Sequence, residues 1–208
     1  MGIQLSSFAF GAPRLARRAL SFLVASVTLS ALGACGDNNS LLSPATTENV
    51  IRTYSVYAMS GTSPALPAAY RFTTESLERP QILSNGAVNF DMAFDLTANN
   101  RVSLVPVRVV VPLPPAGAPS LGLRTSDASF SALERAPTTG FRPDTSLVVG
   151  VGETVLVQVQ GGGCFLGDPL YAKLVVDSII VAERRIVVRS LTNRNCGYRA
   201  LTEGLPRN

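Results

Sequence analysis

Cys35, Cys164 and Cys196 are the three cysteines of this 208-residue chain, and their positions suggest two kinds of chemistry. Cys35 stands alone behind Leu32-Gly33-Ala34, where its thiol is a nucleophile open to covalent modification. Cys164 and Cys196 remain as an even pair, which in an oxidising compartment is expected to form a disulfide; two separate thiols are the alternative. Closing that loop should contribute about 3–4 kcal/mol on chain entropy, less any native strain. Arg184, Arg185, Arg189, Arg194 and Arg199 crowd the C-terminal part. Ile186 and Val188 should face a core, which turns Arg185 and Arg189 outward together. A patch of Arg185, Arg189, Arg194 and Arg199 could hold anionic headgroups, phosphates or an acidic partner. The plainer reading of the same residues is a solvated sheet face. Asn89, Asp91 and Asp95 share the polar face of one predicted strand and offer oxygen ligands that suit Ca²⁺. The loop spacing of a calcium site is missing, so no metal is expected there.

The absences restrict function further. The chain has no histidine and no tryptophan, and Lys173 is its only lysine. Without histidine there is no Ser-His-Asp or Cys-His catalysis and no imidazole base near neutral pH. Gly161-Gly162-Gly163-Cys164 lacks the Lys and Ser/Thr of a phosphate-binding loop and reads as a plain loop. Carboxylate-only hydrolysis needs no other residue type, but its pair of acids cannot be placed from spacing alone. No catalytic residue and no cofactor is assigned, and the chain is expected not to be an enzyme.

The first 34 residues have the order of an export signal. Arg14, Arg17 and Arg18 make a positive segment. Ala19 to Leu29 is apolar and too short to span a bilayer, and Ser30 to Ala34 brings small residues to a cleavage point. Leu32-Gly33-Ala34-Cys35 then resembles the lipobox of bacterial lipoproteins. The resemblance covers residues 1 to about 36 and implies that Cys35 is acylated and becomes the new N-terminus. Each buried CH₂ contributes about 0.8 kcal/mol, so several acyl chains on one cysteine hold a protein at the membrane. Gly36 rather than Asp follows the cysteine, which by the same resemblance favours the periplasmic face of the outer membrane over the inner membrane. Arg17-Arg18 also resembles, loosely, the paired arginines of a twin-arginine signal, without the rest of that pattern. Setting the three signal arginines aside lowers the net charge from +4 to +1. The sequence pI of 9.3 is therefore partly a property of the signal, and no nucleic-acid partner is expected.

The elements that must position these residues read as β. Residues 36–47 are small and polar and suit a flexible tether. From Glu48 onward Val, Ile, Thr and Tyr recur in short runs bounded by turn residues. Val88, Phe90, Met92, Phe94 and Leu96 alternate with polar or small neighbours, predicting one strand with five apolar side chains on one face. Asn99-Asn100 then predicts a hairpin into a strand over 101–111, with Pro106 marking an edge or a bulge. Residues 112–119 form a Pro-rich connection. Ser126 to Arg135 suits a short helix, with Ser126 as N-cap and Phe130 and Leu133 on one face. Further strands are expected at 147–151, 154–160, 170–177, 179–181, 186–191 and 197–201.

The expected fold is all-β, an antiparallel β-sandwich or small barrel with one short helix. Residues 48–208 are expected to form a single domain, because 48–112 alone is small for a stable core; lobes over 48–112 and 138–208 are the alternative. Tyr54, Tyr57, Tyr70 and Phe72 serve a core or a binding surface. The loop 193–199 beside the predicted disulfide is the first candidate contact surface. The sequence thus points to a lipid-anchored envelope protein with a non-catalytic binding or accessory role and a protein partner in the envelope. A small-ligand or glycan-binding β module is the alternative, and a carboxylate hydrolase comes third.

Overall fold

The computed structural model describes residues 42–111, 117–164 and 167–207. Cys35, the signal segment, the first half of the expected tether and residues 112–116 of the Pro-rich connection lie outside them.

Among the described residues, eleven strands form two antiparallel sheets. The strands are β1 (Ile51–Tyr57), β2 (Ala69–Arg71), β3 (Ser76–Glu78), β4 (Met92–Leu96), β5 (Val102–Pro106), β6 (Ser120–Ser126), β7 (Arg142–Pro143), β8 (Leu147–Val149), β9 (Thr154–Gln160), β10 (Leu170–Ile180) and β11 (Arg185–Asn193). One sheet runs β1-β11-β10-β9-β6-β7 and the other β3-β2-β4-β5-β8. The result is an all-β sandwich whose only α-helix among the described residues is α1, Val107–Val110.

Period-two alternation builds the core between the sheets. Val155, Val157 and Val159 of β9 point inward beside Leu170, Ala172, Leu174 and Val176 of β10 and Ile186 and Val188 of β11. Met92, Phe94, Leu96, Val102 and Leu104 come to meet them from the other sheet. Each such side chain, fully buried, stabilises by roughly 1.5–3 kcal/mol before its ordering cost. Both outer faces also carry apolar patches. Leu156, Tyr171, Val175 and Leu191 are covered by Phe130, Ala136 and Leu201. Ala69, Ala93 and Phe90 are covered by Val107 and Ala118.

Several local expectations fail for identifiable reasons. The strand expected from Val88 begins only at Met92. Val88 and Phe90 belong to the outer patch, whereas Met92, Phe94 and Leu96 belong to the core. The chain bends between them because Asp91 turns inward and accepts the Phe72 N–H at 2.7 Å. The β4–β5 hairpin forms, with Asn100 at φ 55 and Leu96 opposite Val102. Its second strand stops at Pro106 and continues as α1 instead of running to Val111. Pro106 is thus the last residue of an interior strand, where its missing N–H removes no ladder bond beyond it. No helix forms over 126–135. The Phe130 and Leu133 carbonyls, which helical bonds would use, accept from the Lys173 ammonium at 2.7 and 2.9 Å. Residues 197–201 make a single bridge, Arg135 to Ala200, and not a strand.

Candidate functional site

Cys164 and Cys196 are joined by a disulfide with a Cα–Cα distance of 5.6 Å. Both half-cystines pack against the main core. The bond ties the loop after β9 to the loop after β11, which carries Asn195 and Gly197 and follows Asn193 at the end of the strand. Asn195 acts as a clamp there. Its Oδ1 accepts the N–H groups of Thr46 and Thr47 at 2.9 and 3.1 Å, and its Nδ2 donates to the Thr47 carbonyl at 2.8 Å. Asn49 adds a second tie. Its backbone exchanges two hydrogen bonds with Gly204, and its Nδ2 reaches the Ala200 and Thr202 carbonyls. The segment that leads from the N-terminal region into β1 is therefore held against the disulfide-bonded loop on one side and the C-terminal segment on the other.

The four arginines of the expected patch do not act as one surface. Arg185 and Arg189 lie on the outer face of β11, because Ile186 and Val188 face the core. Arg185 donates to Glu183 at 2.7 Å and Arg189 to Asp177 at 2.8 Å. Arg189 also lies over the Phe130 ring, 5.1 Å from its centroid. Arg194 faces Glu75 at 4.0 Å, and Arg199 donates to the Ala136 carbonyl at 2.7 Å. Three of the four face a carboxylate and the fourth is spent on backbone.

The acidic and amide row also separates. Asn89 spans a loop, accepting from the Gln81 N–H and donating to the Arg79 carbonyl. Asp95 accepts from Ser60 and lies 3.4 Å from the Arg184 guanidinium. Asp91 is 3% exposed. Burial raises the Asp91 pKa, against the lowering effect of its bonds to the Phe72 and Thr73 backbone. A carboxyl whose folded pKa is raised stabilises the fold in its protonated form. That contribution is complete below its ordinary value near 3.8 and is lost as pH rises through the raised one. Asp91→Asn should therefore flatten the fall in stability above that pH, read from urea midpoints across acidic to neutral pH. A variant whose midpoints fall as steeply as those of the parent would show that another group titrates there.

Of the four aromatic candidates, Tyr54, Tyr70 and Phe72 belong to the core, while Tyr57 is half-buried and lies outside it. The Tyr54 and Tyr70 rings stack at 4.9 Å, and Phe72 meets Tyr70 edge-on at 5.1 Å. The tyrosines' hydroxyls approach Ser190, and Tyr70 also approaches Thr192. No bond closes: Tyr54 Oη, Tyr70 Oη and Thr192 Oγ1 are buried without a partner. Burial pushes the Tyr70 hydroxyl up to about 12 and Tyr54 higher still. Glu75, in the turn between β2 and β3, lies near both tyrosines. Its backbone is left-handed, φ 53, a conformation that costs of order 1 kcal/mol. Its carboxylate lies 3.3 Å from Arg52.

Depressions also occur among the described residues. An open groove of about 580 Å³ is lined by Ala65, Pro67, Leu77, Glu78, Arg79 and Asn89 beside β3. A smaller cleft of about 230 Å³ lies between Phe130, Val151 and Arg189. Among the described residues no group of acids and cysteines is placed to hold a metal ion. The sequence reading missed Lys173, Asn49 and the Arg52–Glu75 pair. A lone lysine in a run of apolar residues, Leu170 to Val176, was a signal for the first; the other two depend on long-range contacts with no local signature.

No family model matches the chain, and no curated protein or solved structure matches it either.

Proposed function

We propose that this chain is a lipid-anchored protein of the bacterial envelope whose β-sandwich binds or supports a partner without catalysing a reaction. The observation that carries this reading is the clamp at Thr46–Asn49. The segment following the Cys35 lipobox is fixed to the fold by five hydrogen bonds from two buried asparagines' side chains. Such a fixed exit keeps a pull from the N-terminal side from fraying β1 at its start. The two buried acidic or basic residues among the described ones, Asp91 and Lys173, support a role without catalysis. Both are spent on structural bonds to backbone.

Detergent phase partitioning tests the anchor. The native protein should enter the detergent phase, and Cys35→Ser should remain in the aqueous phase or keep its signal. Partitioning unchanged by the substitution removes the basis of this reading. The 580 Å³ groove beside β3 supports the second reading, a small-ligand or glycan-binding module. Glycan or lipid that co-purifies with the protein and is released by substitutions at Leu77 and Arg79 would favour it.

A further inference from the structure

β1 is the outermost strand of the larger sheet and pairs only with β11 among the described residues. Its hydrogen-bond parity follows from its flanks. Ala58 donates to the Arg184 carbonyl, continuing the β11 ladder through the even-numbered residues of β1. Asn49 and Tyr57 donate away from β11, to Gly204 and Pro67. The N–H and C=O groups of Ile51, Thr53 and Ser55 therefore point out along an open edge, bounded at both ends by the chain itself. Such an edge takes another extended backbone.

Side-chain parity then states what that backbone should carry. Tyr54 and Val56 face the interlayer space, and Arg52 shares their face. Arg52 is half exposed, with Glu75 beside it and Arg194 beyond. Two guanidiniums thus share one carboxylate, and an incoming strand would set its inward side chain level with Arg52. An opposite charge is favoured there and a like charge disfavoured. A second copy of β1 would bring another Arg52 to that face, so self-pairing is the poorer match.

We propose that the open edge of β1, from Ile51 to Ser55, docks an extended acidic segment of a partner protein, which adds a strand to the six-stranded sheet and sets a carboxylate against Arg52 and Arg194. The proposal rests on the binding reading above and names its surface and partner chemistry.

Amide hydrogen exchange by NMR on the full chain tests it, with a short peptide alternating valine and glutamate as the probe and its valine–lysine counterpart as control. In the free protein the Ile51, Thr53 and Ser55 amides should exchange fast while those of Arg52, Tyr54 and Val56 are protected. The glutamate peptide should slow the three open amides by about tenfold or more. It should also bind roughly tenfold tighter than the lysine peptide, the size of a charge swap at a half-exposed pair. Arg52→Glu should invert that preference, with unchanged protection across β10 showing that the fold is intact. No protection from either peptide, equal binding of both, or protection by self-association alone would each overturn the proposal. The assay reads β1 and is blind to Cys35, so its failure is distinct from failure of the anchor.

Discussion

Lys173→Met should lower the unfolding free energy by about 2–4 kcal/mol. Lys173 lies on β10, on the sheet face opposite the core, and is 3% exposed. Its ammonium lies 4.5 Å from the centroid of the Phe130 ring and donates to two carbonyls of the segment that covers this face. Burial lowers the Lys173 pKa, with Glu134 and Glu203 opposing that shift. Methionine keeps most of the volume but leaves the Phe130 and Leu133 carbonyls without a donor, at about 1–3 kcal/mol for each unsatisfied group. The chain has no tryptophan, so far-UV circular dichroism in urea is the suitable probe. A local readout separates this from general damage: trypsin should cut the variant at Arg135, which native pairing with Ala200 protects. A loss under about 1 kcal/mol would mean that Phe130 and Leu133 hold the segment by packing alone.

Reducing the Cys164–Cys196 bond, or replacing both cysteines with serine, should cost about 3–4 kcal/mol. The sequence separation is 32, and the loop it closes contains the whole of β10 and of β11. Without the bond, the unfolded chain regains the entropy of that loop, and the 193–197 segment loses its covalent tie to the β9 side. The double serine variant should show a lower urea midpoint with a slope at least as steep as the parent's, because the uncrosslinked unfolded chain exposes more surface, read beside the reduced wild-type chain. A midpoint that does not move would show that the Asn195 hydrogen bonds suffice to hold the loop.

Local periodicity made much of the β framework legible, and the layers outside it were not. Thr154–Gln160 could be read with both its ends, because three valines at period two demand one buried face. The hairpin at Asn100 was legible because asparagine tolerates the left-handed turn. By contrast β2, β3 and β7 are two or three residues long, too short for any period to register. Val88 and Phe90 kept the alternation of Met92 to Leu96 but lie in another layer, since a buried Asp91 at 3% exposure overrides the pattern. The Ser126–Arg135 segment had helix-forming residues and lost its helix to a lysine about forty positions away. Of the site candidates, the cysteine pair was legible from arithmetic alone. Arg185 and Arg189 were legible as outward residues on one strand, but the partners Asp177 of Arg189, Glu75 of Arg194 and the Ala136 carbonyl of Arg199 come from elsewhere in the chain.

The Asn195 clamp also sets a load path. Tension applied to the chain ahead of Thr46 does not first meet the terminal pair of β1 and β11, Ile51 with Leu191. It enters at Asn195, passes to the adjacent Cys196 and crosses the covalent bond to Cys164 beyond β9. A pull that would otherwise peel the outermost strand is thereby spread across β9, β10 and β11 together. The mechanical strength of the domain then depends on the redox state of its environment, because reduction removes the crossing to Cys164 and leaves only the hydrogen bonds of Asn195 and Asn49 ahead of β1.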